Sequence, residues 1–264
     1  FRAHFFHATD TVGRWLTPLL DISRARLLDF GCGEGKTTLS VALRLAPAEV
    51  VGLDIHKSYR KLADYAPGQL GLRRFPGNLR FRTTAPAAIP RGLGRFDAIY
   101  TWSVFEHVDP AILPRVVAQL HELLRDDGIL FVQIEPLFHS PYGSHLANLV
   151  PEPWAHLLEE HETLRRRVLE YPDEVPQEYE GKRPLTKSEY LDFRWREYCR
   201  LNRLTADQVT AAFRAGGFQV IEEHRGRLPM EPPAALLQHY SGEVLRNNEL
   251  IFVARKGQVD GRRA

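Results

Sequence analysis

Residues 26–38, RLLDFGCGEGKTT, run from an apolar stretch through a glycine-rich turn into a helical pattern. Such a turn lets the backbone approach a ligand, and it suits a dinucleotide, a nucleoside triphosphate or an adenosyl cofactor. The acidic residues separate these three. A triphosphate loop needs a glycine five residues before Gly35, where Phe30 stands, and Asp29 and Glu34 would repel the phosphates. A dinucleotide fingerprint would place its third glycine at Lys36, and its pyrophosphate would again meet Glu34. S-adenosyl-L-methionine carries a sulfonium and an ammonium and no phosphate, so the same carboxylates attract it. A glycine turn without any ligand is the plain alternative.

Asp54 ends the next apolar run at about the distance where a doubly wound fold offers a carboxylate to ribose hydroxyls, although an acid there also serves as a helix cap. Ile55 and His56 follow it and are placed to flank an adenine. DFGCGEG with its flanking elements resembles the first motif of class I S-adenosylmethionine-dependent methyltransferases. FDAIYTWSVFEHV resembles their fourth-strand motif, LLRDDGILFVQIEP their fifth-strand region, and LTADQVTAAFRAGGFQV their late helix. The resemblance covers 24–135 and 203–256. It implies a doubly wound α/β fold with a mostly parallel seven-stranded sheet, an antiparallel last strand and a helical insert after strand five. It also implies that Gly31, Cys32, Gly33 and Gly35 shape the cofactor pocket, with Asp29 or Glu34 near the methionine end. Thr101, Trp102, Ser103 and His107 would border the cofactor after strand four. Thr83 and Thr84 would stand near the adenine amine, where this family usually has Asp.

The elements needed to position these residues are legible in the periodicity. Residues 4–22 carry apolar groups at helical intervals and predict an opening helix within an N-terminal segment 1–23. Strands are expected at 26–30, 49–55, 78–84, 96–101 and 128–135, with helices between them, which argues for a parallel sheet. Residues 136–202 break this rhythm with prolines and dense charge, and predict a helical cap over the acceptor. A helix capped by Thr205 and stopped at Gly216-Gly217 follows, then two strands expected to pair as an antiparallel edge, and a frayed tail, 257–264.

Methyl transfer to a hydroxyl requires an acceptor aligned with the S–CH3 axis and a group that removes its proton. The places to search are the ends of strands four and five. His145 and His139 are the expected bases, because histidine titrates near neutrality. Glu106, Tyr142 and Trp154 are expected beside the acceptor. Each histidine has an alternative in which it only bonds to backbone and shapes its loop. His139, His145 and His156 with Glu135 or Glu152 have spacings that match no zinc pattern, so no metal is expected.

A net charge of +2 gives no field for polyanions, so a small-molecule acceptor is expected rather than nucleic acid, with a homodimer allowed. Only Cys32 and Cys199 are present, which argues against a disulfide framework and for the cytoplasm. No apolar run is long enough to span a membrane, and no export leader is read at the start. The expected activity is O-methylation of a sugar, glycolipid or secondary metabolite. The alternatives are an NAD(P)-dependent oxidoreductase and a catalytically inactive cofactor-binding scaffold.

Overall fold

RLLDF forms strand β1 (Arg26–Phe30), in which the consecutive residues Leu27 and Leu28 are both fully buried. Burial of neighbours on opposite faces marks a strand covered on both sides. Leu28 packs with Ile99, Val116 and Phe213 in one core, whereas Leu27 packs with Val12, Val41 and Ala98 in another. A computed structural model describes residues 3–180 and 183–257. It adds β2 (Glu49–Asp54), β3 (Leu79–Thr83), β4 (Phe96–Trp102), β5 (Leu124–Ile134), β6 (Phe218–Arg227) and β7 (Asn247–Lys256). Their order in one seven-stranded sheet is β3-β2-β1-β4-β5-β7-β6. The first five are parallel, and β7 is antiparallel to both β5 and β6.

The fold is therefore the doubly wound α/β sheet expected. The last two strands pair antiparallel as expected, with β7 inside the sheet and β6 at its edge. Their compositions explain this placement, since β7 buries the continuous run Leu250–Ala254 while β6 leaves Glu222 and Glu223 on a solvated strand. The strand order reverses between β1 and β4, whose partners Asp29 and Tyr100 lie side by side. Crossovers leave in opposite directions at that point and open a crevice at the carboxyl ends of the strands.

The flanking helices are α1 (Thr9–Leu16), α2 (Lys36–Arg44), α3 (Leu62–Leu70) and α4 (Leu113–Leu123). The opening helix is shorter than the residue pattern predicts. A wider helical turn precedes it at Ala3–Ala8, and Pro18 follows its end. β5 starts at Leu124, earlier than expected, because Leu124 already pairs with Phe96 across an irregularity in the ladder.

Between β5 and β6 come α5 (Ala155–Leu158), α6 (His161–Leu169), α7 (Lys187–Arg200) and α8 (Ala206–Ala215). Phe138, Leu164, Val168, Tyr190, Leu191, Trp195 and Tyr198 pack together in this region, so most of its aromatic residues form a core rather than a ligand wall. Thr205 caps α8 in a reciprocal box with Gln208, as its sequence suggests. Asn202 ties the region back to the sheet: its N–H donates to the Glu106 carbonyl at 2.9 Å and its Nδ2 to the Val108 carbonyl at 3.0 Å. Among the described residues no helix is long and apolar enough to cross a membrane. Of the tail expected at 257–264, only Gly257 lies within the described residues.

Gly31 leaves no room for a side chain. Its φ is +79°, and an added Cβ would stand 2.4 Å from Val104 Cγ2. Gly31→Ala combines left-handed backbone strain with overpacking and is expected to cost about 3 kcal/mol. Urea unfolding monitored by circular dichroism measures this, with Gly77→Ala, where a Cβ would meet nothing within 4 Å, as the near-neutral control.

Candidate active site

The glycine turn is held by β2 before any ligand enters. The Gly31 and Cys32 N–H groups both donate to the Leu53 carbonyl, at 2.8 and 3.1 Å. Asp54 at the end of β2 clamps the turn from the side: its Oδ2 accepts from Gly33 N–H at 2.8 Å and its Oδ1 from His56 N–H at 2.7 Å. Each oxygen keeps a further lone pair for a ligand hydroxyl. A cleft of about 270 Å³ lies above this turn, lined by Asp29, Gly31, Cys32, Gly33, Glu34, Lys36, Thr37, Trp102 and Ser103. A Cβ at Gly33 would meet nothing within 4 Å, so at that point the bare backbone faces open space.

Two carboxylates give the cleft its charge. Asp29 is buried and accepts from the Thr38 hydroxyl at 2.6 Å. Burial, opposed by that hydrogen bond and by Tyr100 and reinforced by the Asp54 charge, pushes its carboxyl up to about 7. A cation arriving beside it would therefore favour loss of its proton. Glu34 sits at the rim with Lys36 at 2.6 Å and the Tyr65 hydroxyl at 3.3 Å. Burial acts to raise it, but the Lys36 contact and the Lys61 charge win and hold it below the usual carboxylate range.

The adenine side is less open than the sequence suggests. Ile55 and His56 are exposed past the end of β2. The Thr83 hydroxyl pairs with Tyr59 Oη at 2.7 Å, and the Thr84 hydroxyl donates to the Ala88 carbonyl at 2.6 Å. Tyr59 in turn stacks on Phe81 at 4.8 Å, so the two threonines help to fix the wall formed by β3 and its neighbours. Thr101 is wholly buried below the floor of the cleft.

A second cleft of about 460 Å³ adjoins the first, and Trp102 and Ser103 line both. Its other walls are His7, Glu135, Pro136, Tyr142, Leu228 and Asn248. Tyr142, expected beside the acceptor, lines this second cleft. Asn248 donates to Glu135 Oε1 at 2.8 Å. Burial raises the Glu135 carboxyl, with the Glu249 charge adding and His7 and Asn248 opposing. His7 also meets the Trp102 ring edge-on at 5.7 Å. Neither His7 nor Glu135 was singled out as a base from the sequence. The amphipathic opening helix was the available signal for His7, and its position over the cleft depends on the packing of Phe5 and Val12 against the sheet.

The expected bases lie elsewhere. His139 lines a small separate pocket with Thr205, Arg225 and Ser241 on the far side of the insert loop, and packs against Tyr240. His145 faces His107, with ring centroids 5.2 Å apart. Burial first, then the charges of His107 and Arg194, push its imidazole down to about 4, which makes it a weak proton acceptor near neutrality. Trp154 is buried, and its single indole N–H is shared between the His139 and Leu245 carbonyls at 3.2 and 3.1 Å, so it is a core residue and not an acceptor wall. Glu106 is also buried, beneath the turn rather than in either cleft. Burial and the Glu135 charge push it up to about 8. His107 is exposed at the outer side of the same turn.

Residues 4–223 match a family model described as a methyltransferase domain. The chain belongs to that methyltransferase family. Over 121 residues it is 36% identical to trans-aconitate 2-methyltransferase of Deinococcus radiodurans, a match taking in 46% of this chain and 41% of that protein. The matched part spans less than half the length of the curated relatives. Among solved structures, an S-adenosylmethionine-dependent methyltransferase from Clostridium acetobutylicum superposes with a TM-score of 0.55 at 11% identity, covering 94% of this chain and 90% of that one. The magnesium protoporphyrin IX methyltransferase of Synechocystis, solved with bound SAH, gives 0.54 at 14%, covering 97% and 85%. At these identities the two superpositions speak for the fold of the methyltransferase family.

Asp29 makes the stability of the ligand-free protein depend on pH. Its folded-state value of about 7 lies above the ordinary 3.8, so its favourable contribution is complete at acid pH and is lost as pH rises through 7. Between pH 5 and 8 the wild type should lose about 2 kcal/mol relative to Asp29→Asn. Denaturant unfolding at the two pH values measures this, and a parallel pH dependence in the variant would assign the ionisation elsewhere.

Proposed function

We propose that the chain transfers a methyl group from S-adenosyl-L-methionine to a hydroxyl of an uncharged small-molecule acceptor. The observation that carries this reading is the pair of adjoining clefts with Trp102 and Ser103 as their common wall. One carries Asp29 and the Glu34–Lys36 pair around an exposed glycine backbone; the other has a mixed polar and apolar lining.

Asp29 and Glu34 would draw the ammonium and sulfonium end of the cofactor, and Gly31 and Gly33 would let it approach the backbone. Asp54 is placed to add ribose hydroxyls to the two N–H groups it already accepts. Ile55 and His56 would flank the adenine. Bound there, the cofactor supplies an electrophilic methyl group for in-line displacement.

On the acceptor side this chain has to orient an oxygen and take its proton. Trp102, Pro136 and Leu228 offer apolar surface for a ring, while Tyr142 and Asn248 offer hydrogen bonds. Among the described residues of this cleft His7 and Glu135 are able to accept the proton, and we assign that role to them in place of His139 and His145. Among the described residues the cleft lining includes no Arg or Lys, and it does include Glu135. Both features favour a neutral hydroxyl compound, such as a sugar or phenol, over a tricarboxylate like that named for the Deinococcus relative. Pro136 and Tyr142 come from residues 136–202, in keeping with a cap on the acceptor.

S-Adenosylhomocysteine at about 100 times its dissociation constant should stabilise the protein by about 2.7 kcal/mol, with no matching effect of NAD. A melting shift produced by NAD alone would remove the methyltransferase reading. With the acceptor identified by labelled methyl transfer into a cell extract, His7→Ala and Glu135→Gln should each lower kcat by about 10²-fold while cofactor affinity stays within threefold. Unchanged turnover in both variants would exclude them as the proton-accepting groups.

A further inference from the structure

Beside the two clefts lies a third group of side chains that neither needs. Glu106 and His107 occupy the turn after β4, and His145 comes from the loop after β5. One carboxylate oxygen of Glu106 and one ring nitrogen from each histidine lie within 4.8 Å of one another. Glu106 is 3% exposed, and neither of its oxygens has a hydrogen-bond partner. The single O–H of the nearby Ser103 is shared instead between Gln133 Oε1 at 3.3 Å and the Glu135 carbonyl at 3.2 Å. His145 Nε2 is buried and equally without a partner. Buried polar atoms in folded proteins are almost always paired, so three of them unsatisfied and converging on one point call for a ligand.

We infer that Glu106, His107 and His145 bind a divalent transition-metal ion of the zinc type. Two imidazoles and one carboxylate are a donor set such ions favour, and three protein ligands leave a fourth position for water. Donors around a single zinc stand about 3.3 Å apart, so side-chain rotation has to draw the three inward. Their backbones are already held. Asn202, just past α7, donates to the carbonyls of Phe105, Glu106 and Val108, and Arg194 of α7 donates to the carbonyl of His145. His107 is exposed and gives the ion a way in. His156, considered with His139 and His145 from the sequence, is excluded because its Nε2 is bonded to the Phe138 carbonyl at 2.7 Å. The expectation of no metal rests on the spacings of His139, His145 and His156, which match no zinc pattern, and it does not weigh a set drawn from two loops. The site stands apart from the methyltransferase reading, since neither cleft depends on it.

The test uses the tag-free full chain, stripped with a chelator and then equilibrated with zinc or cobalt(II). The expected result is one zinc per chain by elemental analysis after gel filtration, and a visible cobalt(II) absorption that zinc displaces. His107→Ala, His145→Ala and Glu106→Gln should each weaken the affinity at least tenfold, while His139→Ala, another buried histidine, leaves it unchanged. His107→Ala changes an exposed side chain, and its melting transition confirms folding independently of metal. Absence of stoichiometric uptake by the folded wild type, or uptake equally strong in His107→Ala and His145→Ala, would overturn the inference. Either result would leave the S-adenosylhomocysteine and NAD comparison untouched.

Discussion

The constraint on which the rest depends is that β1 pairs on one side with β2 and on the other with β4. A parallel strand flanked in this way sends its neighbours' crossovers to opposite faces, and the crevice left at its carboxyl end cannot be filled by either. Every group of interest hangs from that point: the glycine turn from β1, Asp54 from β2, and Trp102, Ser103 and Glu106 from β4. Asp29, next to the carboxyl end of β1 and beside Tyr100, places an ionisable group here at the cost of desolvation, which is why its acidity responds so strongly to burial.

The crevice is preorganised by backbone hydrogen bonds rather than by large side chains. Leu53 accepts two N–H groups from the glycine turn and Asp54 a third, so the loop is fixed in the ligand-free protein. On the opposite side Gln133 Oε1 accepts from Ser103, and the Gln133 amide donates to Glu249 at 2.9 Å, which links the turn after β4 to both β5 and β7. The same economy governs the insert. Its helices bury their aromatic residues against each other, and Asn202 and Arg194 then hold the two loops nearest the clefts. Substitutions in that packed aromatic cluster would act on the clefts only through these ties.

Charge is distributed so that each cleft has a different chemistry. Glu34 is paired with Lys36 and remains ionised, whereas Asp29, Glu106 and Glu135 are all shifted toward the neutral form by burial. A cationic ligand near any of the latter three would reverse that shift, so binding and proton release are coupled throughout the region. The histidines follow the complementary rule: His139, His145 and His156 are kept neutral by burial.

Local pattern in the sequence determined the alternation of strands and helices, the glycine turn with its acids, the cap at Thr205 and the family, because each rests on contacts between residues near one another in the chain. β1 at 26–30 and the capped start of α8 are examples, since burial on both faces and a capping box leave direct signatures in residue type. The tertiary structure alone decided which ionisable side chains share a cleft. His7 reached the second cleft through packing of the opening helical segment, His139 was carried to a separate pocket by the loop after β5, and Glu106 met His145 only because β4 and β5 are neighbours. Titratable groups on loops have no periodicity to reveal their partners; the distances between them are set by the sheet order, which no local spacing encodes.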